Sequence, residues 1–416
     1  MPVFTSSIEV TADYPTIKPS LNLNFARSRS LDPRITFTRA SVGTYVGRDG
    51  LIKTAGEDEA RFDHDPETLE SLGLLIEESR TNIVVYSEEF DRTWWSKNGG
   101  GSPGTTVTAN QAVAPDGTTT ADYIDYTTAT ANSQNIEVSY DNTPAGKTYT
   151  ASVWIKGTAG QTFNLTLDAN GVSGSAQQFT LNGDWQRFSI TRTYPAGSPA
   201  AYFRFGVRNL GHPSTGTATQ VYAWGAQIEL GSFPTSYIPT SGSAVIRVAD
   251  RARITGTSFS NFFNTTEGTL VVQGRTSAGN SLNYTNQPII SINAGSSTNR
   301  IIMFDRDAGT LEWNVVDGSF ANGSGVLLDE TTSYSGAADY IMCGTYENGA
   351  PTRAVANGLG ADGTTIESSG KNDTVNIFNQ MDIGNEFGTR QCSSPIKQVR
   401  YYPLSLSDAE IKTLVQ

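Results

Sequence analysis

The chain has 416 residues, a formal net charge of −12 and only 17% charged residues, with 41 glycines, 17 tyrosines and 18 phenylalanines. So acidic a chain excludes nucleic-acid binding through a general phosphate-neutralising surface, and with no apolar run near the ~20 residues of a spanning helix no membrane insertion is expected. Surfaces built from Ser, Thr, Asn and Gly rather than Lys and Glu predict an all-β class, and the length predicts two or three units of roughly 150 residues. Residues 1 to about 20 are polar and contain proline, which predicts an extended arm. Leu21, Leu23 and Phe25 alternate with Asn22 and Asn24, the period of a half-buried strand. Arg34 to Arg39 alternates again, and Thr44–Val46 and Leu51–Lys53 flank Gly47-Arg48-Asp49-Gly50. Asp-Gly supplies the positive φ of a tight hairpin. Arg61 to Pro66 reads as a polar loop, and Leu72 to Glu78 as a short apolar strand. So few apolar positions make residues 1–80 marginal alone, so they are expected to pack on their neighbours or on another chain.

Residues 81–243 show evenly spaced strands with Gly- and Asn-rich turns: Thr148–Ile155, Phe163–Leu167, Trp185–Ile190, Ala201–Val207 and Gln220–Trp224. Regular strands without intervening helix predict a sandwich of jelly-roll character, closed by the linker Thr240-Ser241-Gly242-Ser243. Residues 244–416 repeat the pattern at Gly268–Gln273, Ile289–Ile292, Arg300–Phe304, Thr310–Val315 (after a turn at Asp307-Ala308-Gly309), Arg353–Gly358 and Ile396–Tyr402. One helix closes the chain, with Ser407 and Glu410 as its capping box and Leu406 and Ile411 as its hydrophobic staple. Cys343 and Cys392 stand far apart on strands and read as buried free thiols.

Three stretches carry a resemblance. Leu31-Asp32-Pro33-Arg34-Ile35-Thr36-Phe37-Thr38-Arg39, Asp49-Gly50-Leu51-Ile52, Ala60-Arg61-Phe62-Asp63-His64-Asp65-Pro66 and Gly73-Leu74-Leu75-Ile76-Glu77-Glu78-Ser79-Arg80-Thr81-Asn82 form a string that resembles the N-terminal module of tailed-bacteriophage virion proteins. The segment from Asn82 through Tyr86-Ser87-Glu88-Glu89-Phe90 and Trp94-Trp95 to Trp224-Gly225-Ala226-Gln227-Ile228-Glu229 and Tyr237-Ile238-Pro239 is similar to the carbohydrate-binding-module-like jelly rolls of such proteins. The last unit, with Ala356-Asn357-Gly358, Asp382-Ile383-Gly384 and Val399-Arg400-Tyr401-Tyr402, is similar to laminin-G or concanavalin-like sandwiches. The resemblance implies a head fibre, tail fibre, spike or capsid decoration, assembled into virions in the host cytoplasm. It implies attachment to other virion proteins through residues 1–80, self-association (a trimer, for instance), and binding of host surface glycans. The N-terminus carries no basic segment followed by an apolar one, so no secretory signal is expected.

Sugars stack their C–H faces on exposed aromatic rings and hydrogen-bond to Asn, Asp, Gln or Arg. The candidate rings are Trp94, Trp95, Trp185 and Trp313, whereas Trp154 and Trp224 lie inside alternating strands and read as core. Similar modules hold a structural calcium where the ends of the jelly roll meet, which makes Glu88, Glu89 and Glu229 the candidate oxygen ligands. Asp305, Asp307 and Glu312 form a second acidic cluster. Catalysis is not indicated: there is no GxSxG, HExxH or P-loop pattern, and the two histidines are His64 and His212. His64, between Asp63 and Asp65, reads as a loop hydrogen-bonding residue. The competing reading is a polysaccharide-degrading tailspike, in which two of the 41 acidic residues converge as acid and base.

Overall fold

The computed structural model describes residues 15–97, 105–127, 134–169, 172–208, 215–276, 286–296, 299–306, 310–316, 324–328, 338–358, 361–371, 378–388 and 390–416. The first fourteen residues of the expected arm, the turn at Asp307-Ala308-Gly309 and His212 lie outside the described residues. The chain is all-β, built as two double-layered sandwiches and a short hairpin, with helices at Gly256–Ser260 and Asp408–Val415. None of the helices of the described residues is long and apolar enough to cross a membrane.

The jelly roll packs two sheets face to face. One runs Gln134–Asp141, Ala201–Arg208, Thr162–Ala169, Val172–Thr180; the other runs Gln186–Thr193, Thr148–Gly157, Gln220–Leu230, Ala121–Asp125, Thr106–Ala112. Alternation decides the inner face. Ile136, Phe163, Leu165, Phe203 and Phe205 meet Ile124, Val153, Ile155, Val221 and Ile228 in one core, all under 1% exposed but Val221 at 1%. Four of these strands, Thr106–Ala112, Ala121–Asp125, Gln134–Asp141 and Val172–Thr180, were not legible as strands in the sequence. Their polar positions are frequent because one side of each faces away from the core.

The second sandwich recruits both ends of the chain. Its larger sheet runs Ala361–Asp362, Pro351–Gly358, Asp339–Glu347, Glu267–Arg275, Ser394–Tyr402, Ser71–Ile76, Arg61–His64, with Leu21–Asn24 also paired to Ser394–Tyr402. The facing sheet starts with Thr36–Thr38 paired to Arg251–Thr255, followed by Gln380–Ile383, Gln287–Asn293, Arg300–Arg306, Thr310–Val316 and Ser324–Leu328. Leu21, Leu23, Phe25, Leu74 and Ile76 are therefore part of the same core as Leu270, Met303, Trp313 and Tyr401. The expected division at residue 80 is a division of sequence, while the sheets run across it. Packing on a neighbour, which the apolar poverty of the segment demanded, is met within the chain. Gly73 shows how close the join is: its φ is +95°, and a Cβ there would stand 2.2 Å from the Ile396 carbonyl oxygen. A side chain at this position would push the two strands apart.

The stretch Arg61 to Pro66 is corrected from loop to strand at its start, since Arg61–His64 pairs with Ser71–Ile76. Its polarity misled because its most deeply buried side chain, Arg61, satisfies a buried ionic network, while Phe62 alone of the strand packs against the oily core. Arg61 Nη1 donates to Glu77 at 2.7 Å, to the Thr44 carbonyl at 2.8 Å and to Ser236 Oγ at 2.8 Å, and its other amino group binds Asp250. Asp250 also takes Arg39 Nη1 at 3.0 Å and the Glu77 backbone N–H at 2.9 Å. Ser236 donates to Glu77 from both its backbone N–H, at 2.7 Å, and its hydroxyl, at 2.6 Å. Arg80 lies over the Phe233 ring at 4.8 Å and pairs with Glu78. It presses so closely on Gly231, whose φ is +131°, that a Cβ there would overlap the guanidinium. These groups come from residues 39–80, 231–236 and 247–250, so one polar core joins all three sequence units.

Elsewhere the local expectations hold. Gly43–Val46 and Ile52–Ala55 pair across the Asp49-Gly50 turn, and Pro351–Gly358 turns back at Gly358 to pair with Ala361. Ser407 and Glu410 form the capping box, and Leu406 and Ile411 are buried together. Both cysteines are buried and unpaired.

Candidate functional site

A sandwich offers a ligand its two outer faces, and the jelly roll's two differ sharply. On the four-stranded sheet, the outward residues Asn164, Thr166 and Asp168 are 0% exposed, and Arg204 is 3% exposed. Arg204 binds Glu137 at 2.6 Å, pairs with Asp168 and lies 4.8 Å from the Tyr202 ring centre. The middle of that face is closed.

The outer face of the five-stranded sheet has a covered zone and an open one. In the covered zone Trp224 and Tyr237 are buried together with Ala114 and Ala121, against Trp154, Trp185 and Ile52 of the N-terminal hairpin. One row further along, strand register sets Thr108 opposite Tyr123, Tyr123 opposite Tyr222, and Tyr222 opposite Lys156. Directly opposed residues in antiparallel strands project to the same side. Their neighbours Ile124, Val221, Ala223 and Ile155 occupy the core, so this row points outward. Tyr123 and Tyr222 are half-buried, their rings 5.5 Å apart and tilted by 54°. Beside them Gln220 donates to Asp125 at 3.2 Å. Burial works to raise the Asp125 pKa, but hydrogen bonds from Thr127 and Gln220 prevail and hold it below its ordinary value. Two rings with an ammonium, an amide and a carboxylate at their rim form a surface that can stack a sugar and bond its hydroxyls.

The structure redistributes the residues singled out from sequence. Trp95 is 1% exposed, packs against Phe90 and Phe205, and donates Nε1–H to the Tyr86 carbonyl at 2.9 Å. Trp313 is 0% exposed in the second sandwich, its Nε1–H bonded to Thr352 Oγ1 at 2.6 Å. Both are core residues, corrected from candidate sugar platforms. Trp94 is half-buried, edge-on to Trp95, and Trp185 is half-buried with its Nε1–H on the Val113 carbonyl at 3.0 Å. They border different clusters and form no common platform. Tyr123, Tyr222 and Lys156 were missed. The signal for Tyr222 lay in Gln220-Val221-Tyr222-Ala223-Trp224, where it alternates with the core residues Val221 and Ala223.

The candidate calcium ligands do not converge. Glu88 and Glu89 line one hollow of about 410 Å3, but Glu88 accepts from Tyr237 Oη at 2.7 Å, while Glu89 accepts from Ser241 Oγ at 2.7 Å and from Arg92 at 2.5 Å. Glu229 is buried, with both oxygens on Thr235, at 3.0 and 2.5 Å. Asp305 and Glu312 sit at successive register positions of paired strands, on opposite faces, and Asp307 lies outside the described residues. Among the described residues no three His, Cys, Asp or Glu side chains are grouped to hold a metal. His64, at the end of its strand, lies 3.1 Å by Nδ1 from the Val46 carbonyl.

Three buried carboxyls are pushed up by burial: Asp63 and Asp122 to about 6, and Asp305 to about 7. Asp63 accepts the Val46 N–H, and Asp122 those of Phe90 and Asn110, so these two act as loop and strand anchors. Raised carboxyls bind protons in the folded chain that the unfolded chain releases near 3.8, so their stabilising contribution is lost as pH climbs through 6 to 7. Glu77 works the other way: burial would raise its pKa, yet Arg247, Arg61 and Ser236 hold it at about 2. Its contribution is present above its ordinary 4.5 and disappears as pH falls toward 2. Thermal unfolding is therefore expected at a temperature higher by roughly 5 °C at pH 5 than at pH 8. A flat or inverted profile in that window would contradict these assignments.

Residues 82–215 match the family described as carbohydrate binding domain. That domain is a binding module by its description, and it spans the two jelly-roll sheets through Ala201–Arg208. Among solved structures, a CBM40 module of the Ruminococcus gnavus IT-sialidase bound to α2,3-sialyllactose is similar at 11% identity over 37% of this chain and 84% of that one, with a TM-score of 0.29. The NanB sialidase of Streptococcus pneumoniae is similar at 16% identity over 39% of this chain and 26% of that one, with a TM-score of 0.31. A heptameric SAP-like pentraxin from Limulus polyphemus is similar at 12% identity over 36% of this chain and 70% of that one, with a TM-score of 0.27. No curated protein matches the chain.

Proposed function

We propose that the chain is a non-enzymatic glycan-binding protein, and that it serves as a structural protein of a tailed-phage virion (fibre, spike or capsid decoration) displayed on the particle surface. The observation that carries the glycan reading is the open Tyr123–Tyr222 pair on the outer face of the jelly roll, in which Tyr123 lies within residues 82–215 matched by a carbohydrate binding family and Tyr222 on the strand that follows them. The virion reading, with attachment to other virion proteins and self-association, rests on the resemblance of the string from Leu31 to Asn82. That string supplies Arg39, Arg61, Glu77 and Arg80 to the buried network, so its demands are explained inside the chain as well.

Native electrophoresis of the intact chain through gels containing neutral polysaccharides tests the binding. At least one polymer is expected to retard the wild type. Tyr222→Ala should weaken that retardation about two- to tenfold, since one stacked ring contributes roughly 0.5–1.5 kcal/mol. Unchanged mobility across the panel for wild type and variant alike would refute the site. Sustained release of reducing ends from the bound polymer would refute the non-enzymatic reading, and antibody labelling of particles tests the virion reading.

A further inference from the structure

Away from the jelly roll, the turn after Leu21–Asn24, the hairpin Gly43–Val46/Ile52–Ala55 and the strand Arg61–His64 enclose an open groove of about 1080 Å3. Its charge opposes that of the chain as a whole. Arg27, Arg29, Arg48 and Lys53 line it, against a single lining carboxylate, Asp49, which is already paired with Lys53 at 2.7 Å. Arg27, Arg29 and Arg48 are exposed, and none of them forms an ion pair among the described residues. In a chain with 41 acidic and 29 basic residues, such a concentration of unpaired guanidinium groups sets up a local field that draws anions.

The wall between these cations is not merely polar. Tyr45 and Phe62 line the groove half-buried, each offering part of a ring. His64 is 8% exposed, and its Nδ1 faces the Val46 carbonyl at 3.1 Å. A carbonyl accepts only, so Nδ1 is the donor in this contact, and the contact fixes the ring at the groove wall.

We propose that this groove is a second binding site, separate from the Tyr123–Tyr222 face, and that it takes an anionic saccharide. Guanidinium forks hold carboxylate, sulfate or phosphate oxygens in pairs, and the two rings suit the C–H face of a sugar. The volume slightly exceeds the roughly 300–1,000 Å3 of small-ligand clefts, which fits several linked sugar units better than a lone anion.

The test is affinity electrophoresis of the intact chain in polygalacturonate (carboxylated), heparin (sulfated) and dextran (neutral), with a short DNA duplex as the competing polyanion. Wild type should be retarded by polygalacturonate, by heparin or by both, with dextran at least tenfold weaker, and salt should reduce the effect. Which of the two polymers binds more tightly identifies the anionic group. The exposed triple variant Arg27→Ala/Arg29→Ala/Arg48→Ala, checked for unchanged melting temperature, should lose at least tenfold. Tyr222→Ala should behave as wild type in these gels, so that failure of the jelly-roll site and failure of this one are separable. An unaltered triple variant, no retardation by either acidic polymer, or DNA binding as tight as that of the better one would overturn the proposal.

Discussion

A chain truncated to residues 81–416 will not yield two folded sandwiches. The truncation removes Leu21–Asn24, Arg61–His64 and Ser71–Ile76 from the larger sheet and Thr36–Thr38 from the facing one. Leu21, Leu23, Phe25, Leu74 and Ile76 leave the core with them, all at most 2% exposed. At roughly 1.5–3 kcal/mol for each buried side chain, the loss is about 10 kcal/mol. That is comparable with the whole stability of a typical domain, roughly 5–15 kcal/mol. The strand Ser394–Tyr402 would also lose its partners Leu21–Asn24 and Ser71–Ile76, leaving unpaired backbone groups that invite aggregation. The expected product is insoluble or rapidly proteolysed in the 244–416 region. A soluble truncated chain melting cooperatively within a few degrees of the full chain would show that residues 1–80 are a detachable segment after all.

Arg61→Ala is expected to be the most damaging single substitution in the buried network. Arg61 is 0% exposed and bonds Glu77, Asp250, Ser236 and the Thr44 carbonyl. Removing it takes away the cation that Glu77 and Asp250 share and leaves them Arg247 and Arg39 alone, and breaking a buried pair from one side costs about 3–5 kcal/mol. The melting temperature should fall by roughly 10 °C. Arg61→Lys keeps the charge and loses the planar fork, so it should fall between wild type and alanine. The surface pair Lys53–Asp49, with side chains 39% and 52% exposed, provides the contrast. Lys53→Ala should change stability by less than about 1 kcal/mol. Equal effects of Arg61→Ala and Lys53→Ala in calorimetry would mean that the network does not join the three units.

The strand alternation of the two sandwiches, the Asp49-Gly50 and Asn357-Gly358 turns and the Ser407 capping box were legible in the sequence because each depends on neighbouring residues. The crossing of the N-terminal strands into the C-terminal sandwich was not, because register between Leu21 and Tyr401 is a long-range choice that no local pattern records. Arg61 to Pro66 misread as a loop for a related reason: a strand whose most buried side chain is an Arg looks solvent-facing unless its ionic partners are known. The aromatic site was half legible. Trp94, Trp95, Trp185 and Trp313 were candidates by chemistry, yet Trp95 and Trp313 went to the cores where their area is best used. The platform fell instead to Tyr123 and Tyr222, which meet only across paired strands. The string from Leu31 to Asn82 stood out for its length, and the structure gives its buried charged members Arg39, Arg61, Glu77, Glu78 and Arg80 an internal role in the join.

Calorimetric titration of the intact chain with the polysaccharide that retards it most strongly, wild type against Tyr123→Ala/Tyr222→Ala, tests the glycan-binding face most directly. Both rings are partly exposed, so the double variant should keep the wild-type melting temperature. Its affinity should fall by about 10- to 100-fold, the loss of two stacking contacts of roughly 0.5–1.5 kcal/mol each. A folded double variant that binds the same polymer with wild-type affinity would contradict the assignment of this face as the glycan site.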